Sequence, residues 1–323
     1  MSFDRARMKE TAAALAGEGI YIGGSSWKYS GWLGQLYTQD RYVWKGRFAE
    51  ARFERQCLAE YAEVFKSVCV DAAYYKFPDQ RFLDQLFPEV PPDFQFAFKV
   101  TDQITIKYFP NLPRFGMRAG TENRDFLNAE RFEAEFLGPC KPFRQQVGLL
   151  IFEFSRFSAK DFERGRDFVQ LLDEFLGRLP RGWRYGVEIR NRNFLRPEYF
   201  AMLSRHGVAH IFNSWQDMPP LLEQMALSGS RTAPEFTGAR LLLKPGRKYE
   251  EAVKMFSPYN EIKELYPEGR AAGAKLIEET RQQGGGAKTF IYVNNRFEGN
   301  SLETMAGILD AVERVGAESK PKS

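Results

Sequence analysis

Eight short runs of the chain are apolar almost from end to end. They are IYIGGSS (20–26), SVCVDAAYY (67–75), FQFAFKV (94–100), VGLLIF (147–152), YGVEIR (185–190), VAHIF (208–212), ARLLLK (239–244) and TFIYVNN (289–295). Most lack the apolar–polar alternation of a strand with one wet face. Continuous runs suit strands covered on both faces, the pattern of parallel sheets. Helical spacing of apolar positions fills the gaps. FAEARFERQCLAEYAEVF (48–65) and SAKDFERGRDFVQLLDEFLGRL (158–179) predict helices, the second with Ser158 as a cap ahead of Asp161. NEIKELYPEGRAAGAKLIEETRQQGG (260–285) predicts another, which Pro267 should break or kink. NSLETMAGILDAVERVG (300–316) opens with Asn300 and Glu303 at capping distance and should stop at Gly316.

Strand and helix patterns alternating about eight times predict an α/β fold, a TIM-type (β/α)8 barrel, regular or irregular, in a single domain. Its expected bounds are a lead-in helix over 1–19, the barrel over 20–316 and a frayed tail over 317–323. An open doubly wound sheet competes with this, but it needs a GxGxxG loop after the first strand, and GGSSWKYSG (23–31) is not one. The stretch 101–124 carries Pro, Gly and basic residues and reads as a long loop, a functional lid or a disordered segment.

Charge changes the picture little. Forty-six Lys and Arg against 42 Asp and Glu leave +4, without the concentrated basic stripe of a nucleic-acid binder. The three cysteines, Cys57, Cys69 and Cys140, are odd in number and far apart, which fits a reducing compartment rather than a disulfide framework or a zinc site. The first ten residues are charged throughout, and no run approaches the ~20 apolar residues of a membrane span, so the chain is expected to be soluble and cytoplasmic.

In a barrel the residues after each strand build the active face. YIGGSSWKYSGW (21–32) raises the question first, because small polar groups and tryptophans meet at a strand end. Ser25 and Trp27 suit a ligand wall, and Trp32 suits packing. Asp71, Tyr74 and Tyr75 end the second run. Glu188 interrupts the apolar GVEIR, and a carboxylate there must be paired or protonated. Arg190 lies two residues on and faces the same side. The two read either as a plug at the barrel top or as an acid/base with its guanidinium partner. Glu153, ending LLIFEF, is a second candidate carboxylate or a solvated loop residue. Lys99, ending FAFKV, can hold an anion or act as an amine, or merely snorkel. Lys244 and Arg247 in KPGRK are phosphate candidates, or an ordinary basic loop. Asn294 and Asn295 suit a polar ligand or cap a turn. The two histidines, His206 and His210, share no cluster, Cys69 reads as a buried small residue, and no metal or cofactor is expected.

These blocks resemble the YecE-like family, the domain of unknown function 72. GGSSWKYSGW (23–32) is similar to its Gly-x-Ser-x-Trp-x-Tyr-x-x-Trp opening. VDAAYYKFP (70–78), FQFAFKVTDQIT (94–105), GLLIFEF (148–154), VEIRN (187–191) and YVNNRFEGNS (292–301) resemble its later blocks in order. The resemblance implies a TIM barrel with a pocket at the strand ends that includes Trp27, Tyr75, Lys99, Glu188, Arg190 and Asn294. It brings no established reaction. The chain departs from the family's usual residues at Cys69, Asp71, Ile106 and Glu153, and LLKPG (242–246) replaces an Arg-Leu-His-Gly block, which suggests a subgroup with an altered ligand. Three functions compete. The first is an enzyme on a polar, phosphorylated or sugar-like small molecule, with Glu188, Lys99 and Glu153 as its chemistry. The second is a nucleic-acid-binding or repair protein, not favoured by charge. The third is a non-catalytic small-molecule binding module.

Overall fold

The computed structural model of the chain describes residues 3–318. Eight strands form one sheet: β1 (Ile20–Gly24), β2 (Ser67–Val70), β3 (Gln95–Lys99), β4 (Val147–Phe154), β5 (Tyr185–Ile189), β6 (Ala209–Ser214), β7 (Phe236–Leu241) and β8 (Lys288–Val293). All pairs are parallel, in the order β1-β8-β7-β6-β5-β4-β3-β2. The sheet therefore curls into a (β/α)8 barrel of the TIM type. Its helices are α1 (Arg5–Gly17), α2 (Glu50–Ala62), α3 (Gln80–Leu86), α4 (Gly165–Arg178), α5 (Pro197–His206), α6 (Leu221–Ala226), α7 (Tyr249–Phe256), α8 (Pro267–Gln283) and α9 (Ser301–Glu318).

No backbone ladder joins β1 to β2, and a side chain closes that seam. The Gly24 N–H donates to the Tyr61 hydroxyl at 2.8 Å, and that hydroxyl donates to the Ser67 carbonyl at 2.9 Å. Only glycine fits at 23, because a Cβ there would lie 2.0 Å from the Ser67 carbonyl oxygen.

The apolar runs are continuous because each strand faces two cores. Val68, Phe96, Phe152, Val187 and Ile291 pack outward under the helices. Cys69, Ala97, Ile151, Ile211 and Tyr292 pack inward along the barrel axis. The inner layer interdigitates large with small: a Cβ on Gly186 or Gly238 would come within 2.4 or 2.6 Å of Ile211 Cδ1.

Several boundaries differ from the expected ones. Pro267 opens α8 instead of breaking a helix, since the first helical position needs no N–H. Helix α9 runs on through Gly316 to Glu318, and Asn300 caps its start by accepting from the Leu302 N–H at 2.9 Å. Helix α4 begins at Gly165, because the Ser158 N–H and hydroxyl both bond the Asp161 carboxylate, at 2.8 and 2.7 Å, in a separate turn. The second run leaves the sheet after Val70 and turns through Asp71–Tyr74. The 101–124 stretch is neither shapeless nor a plain loop. It holds a helical turn over Asp102–Thr105, a small core of Ile106, Phe109 and Phe115, and the Asn123 amide donating to the carbonyls of Gln103 and Ile106. The tail residues 319–323 lie outside the described residues. No helix among the described residues is long and apolar enough to cross a membrane.

Candidate functional site

Inward positions near the strand ends are charged. Glu153 on β4 and Glu188 on β5 stand side by side in register, both almost fully buried. Two adjacent buried carboxylates repel each other unless cations lie between them. Arg190 supplies one. Its guanidinium lies 3.0 Å from Glu188 Oε1 and 3.2 Å from Glu153 Oε2. Arg240 on β7 supplies another, donating to Glu188 Oε2 at 2.7 Å and to Asp71 at 3.1 Å. Lys99 on β3 pairs with Glu153, whose other oxygen accepts from the Ser155 hydroxyl at 3.0 Å. The result is one chain of alternating charge across the barrel top: Asp71, Arg240, Glu188, Arg190, Glu153, Lys99.

The chain is balanced, and Arg240, Glu188 and Glu153 within it are dry. Burial works against ionising Glu153, but Arg190, Lys99 and Arg240 overcome it and hold the carboxyl well below its ordinary range. Burial likewise opposes the charge on Arg240, and Glu188 and Asp71 outweigh it. Glu188 has both oxygens occupied by guanidinium groups. Beneath Asp71, burial pushes the Cys69 thiol up to about 12, so it stays protonated and inert. Asp71 at one end is the most open, with 36% side-chain exposure; Lys99 and Arg190 reach solvent at 12% and 10%, and Arg240, Glu188 and Glu153 are at 2% or less.

Aromatic rings border this chain. The Lys99 ammonium lies 3.5 Å from the centre of the Tyr74 ring, and Tyr75 meets Tyr74 edge-on at 5.4 Å. Arg114, from the 101–124 stretch, stacks 5.1 Å from Tyr75. On the other side Arg190 lies 3.7 Å over Trp215, Trp215 neighbours Tyr249 at 6.5 Å, and Arg296 stacks 4.7 Å from Tyr249. Beside them opens a cleft of about 1070 Å³ lined by Arg156, Arg190, Asn191, Arg192, Gln216 and Asp217, among others.

The remaining expected site residues take other partners. Trp27 is buried in the main core with an unpartnered indole N–H, and the Ser25 hydroxyl beside it is also buried without a partner. Asn294 and Asn295 accept from the N–H groups of Arg296 and Ser301, which fixes the turn into α9. Lys244 and Arg247 both pair with Glu264, at 2.9 and 2.5 Å, rather than with the buried charge chain. Among the described residues, no three His, Cys, Asp or Glu side chains gather as a metal would need. His206 bonds Asp173, and His210 packs between Tyr199 and Phe200. Arg240 was not foreseen, although an arginine inside the apolar ARLLLK demands a buried partner as strictly as Glu188 does.

A parallel eight-stranded barrel with its polar residues gathered at the carboxyl ends of the strands defines the class, a TIM-type barrel. Within it the chain belongs to the DUF72 family: the family profile, described as "Protein of unknown function DUF72", matches residues 21–323. A DUF72 family protein from Enterococcus faecalis V583 is similar in structure, with a TM-score of 0.62, 15% identity, and coverage of 91% of this chain and 95% of that one. Another, from Thermotoga maritima MSB8, gives a TM-score of 0.56 at 18% identity, covering 92% and 99%. At such identities the likeness speaks to fold alone. No curated protein matches the sequence.

Proposed function

We propose that the barrel mouth binds a small, polar, anionic molecule, phosphorylated or carboxylated, and that the buried charge chain exists to hold Lys99 and Arg190 in place for it. The observation that carries this reading is the double role of Arg190. It is tied to two buried carboxylates and also forms part of the wall of the 1070 Å³ cleft. A guanidinium so fixed is preorganised for an anion and loses little freedom on binding. Arg192 adds positive charge to the cleft wall, whereas Arg156, also on that wall, is paired with Asp217 at 3.0 Å. Any proton transfer on the bound molecule falls to Asp71 and Lys99, because Glu188 and Glu153 are saturated with cations. In this reading Glu188 and Glu153 position the cations, and Lys99 touches the ligand.

Calorimetric titration with inorganic phosphate and ribose 5-phosphate tests the proposal. Binding is expected for the wild type. It should weaken at least tenfold in Lys99→Gln and by a smaller factor in Arg192→Gln, whose exposed side chain leaves the fold intact. Absence of binding to either probe, or equal affinity in both variants, would overturn it.

A further inference from the structure

We infer that the molecule bound at the mouth carries a planar aromatic ring as well as its anionic group. This deepens the anion-binding reading and rests on it. The walls of the mouth carry more than charge. Tyr75 is 63% exposed and Tyr249 is 40% exposed, whereas most large aromatic side chains in the chain are buried. Tyr75 adjoins Tyr74, which lies against Lys99, and Tyr249 adjoins Trp215, which lies against Arg190. The two rings therefore flank the part of the charge chain in which Glu153 joins Lys99 to Arg190. Each ring is backed by a guanidinium, Arg114 behind Tyr75 and Arg296 against Tyr249. A stacked arginine orients a ring; Arg114 spends its charge on Asp102 at 2.9 Å, which leaves Arg296 as the cation for an anion.

Arg296 supplies the independent observation. Among the described residues it has no carboxylate partner, and its Nε is buried without an acceptor. A partly buried guanidinium without a carboxylate partner is costly on its own, and a bound anion would offset that cost. Neither a purely sugar-like anion nor a bare phosphate explains two exposed tyrosines at the same mouth. A flat ring slotted between or onto them, with its phosphate or carboxylate held by Lys99 and Arg190 and supported by Arg296, uses both features. Stacking of this kind tolerates many rings, since each presents a π-face. The class is therefore an aryl or heteroaryl anion, of which a nucleoside monophosphate is a simple example.

Three probes separate the parts: adenosine 5′-monophosphate, ribose 5-phosphate as the anion without a ring, and adenosine as the ring without an anion. Quenching of tryptophan fluorescence or calorimetry reads the affinity. The monophosphate is expected to bind at least about tenfold tighter than either fragment. Tyr249→Ala and Tyr75→Ala should each remove much of that advantage and leave ribose 5-phosphate binding unchanged. Arg296→Gln should weaken the monophosphate and spare adenosine. If ribose 5-phosphate matches the monophosphate and the tyrosine variants change nothing, the ring inference fails while the anion site stands. If no anion binds at all, the anion site itself fails. A single-stranded oligonucleotide that binds far tighter than the monomer would also overturn a small-molecule occupant.

Discussion

Arg240 serves Glu188 and Asp71 with two different nitrogens and is 2% exposed. Arg240→Met would leave Glu188 with one cation instead of two in a dry site. Breaking a buried pair this way costs about 3–5 kcal/mol. Arg240→Lys keeps the charge but cannot reach both carboxylates, so its loss should be smaller. Urea unfolding measures both, and an Arg240→Met variant within about 0.5 kcal/mol of wild type would contradict the assignment. His210 makes a second prediction at this scale. Burial among Tyr199, Phe200 and Phe212, assisted by the charge of Arg231, lowers its pKa to about 3. Unfolded, an imidazole titrates near ~6.5. Between those values the unfolded chain binds a proton that the folded chain refuses, so stability falls as pH drops. From about pH 6.5 to about pH 4.5 the loss attributable to His210 is about 2 kcal/mol. His210→Phe should flatten that slope. Glu153 acts in a lower window. Its folded pKa is depressed, so its contribution is present above the unfolded value of about 4.3 and is lost on further acidification.

Elements meet least securely where β1 passes β2, and there one phenol replaces a ladder. Tyr61→Phe removes the acceptor of the Gly24 N–H and the donor to the Ser67 carbonyl while keeping the ring. Orphaning buried backbone groups costs about 1–3 kcal/mol each, so the variant should lose stability measurably, and the Gly24 amide should exchange faster with solvent. Gly23→Ala should be worse, because its methyl meets a backbone oxygen that cannot swing away. The strands themselves were legible in the sequence because burial on two faces writes a continuous apolar run. The seam was not, because Tyr61 sits in the helical pattern of 48–65 and looks like any other core residue. The site was half legible for the same reason. Glu188 and Arg190 stood out against an apolar strand and share one inward face. The contributions of Trp215, Tyr249, Arg114 and Arg296 come from loops and a helix start, where no periodicity indicates direction. The KPGRK loop stayed open between a phosphate site and an ordinary basic loop, because sequence shows its cations without showing that Glu264, 20 residues beyond Lys244, pairs with it.

At the scale of the whole molecule, α1 braces the strand beside the seam. Strand β1 has ladder bonds on one side only, to β8, and α1 leads directly into it. The helix is also tied to both ends of the chain. Arg5 donates to the Leu36 carbonyl and pairs with Glu63, while Arg7 pairs with Asp310 and Glu313 on α9. Two forces compete to explain this clamp. The ion pairs are all partly solvent-exposed, and such pairs contribute about 0–1 kcal/mol each, less in salt. Met8 and Leu15 are almost wholly buried, and each is worth about 1.5–3 kcal/mol. The apolar face should therefore dominate. Leu15→Ala is expected to cost about 2–5 kcal/mol. Arg7→Ala should cost under about 1 kcal/mol, and the difference should persist at high salt. Hydrogen exchange then locates the effect: Leu15→Ala should loosen the β1 amides more than those of β5 and β6, which have neighbours on both sides. Uniform loosening of all eight strands would show that the seam is no weaker than the rest of the ring.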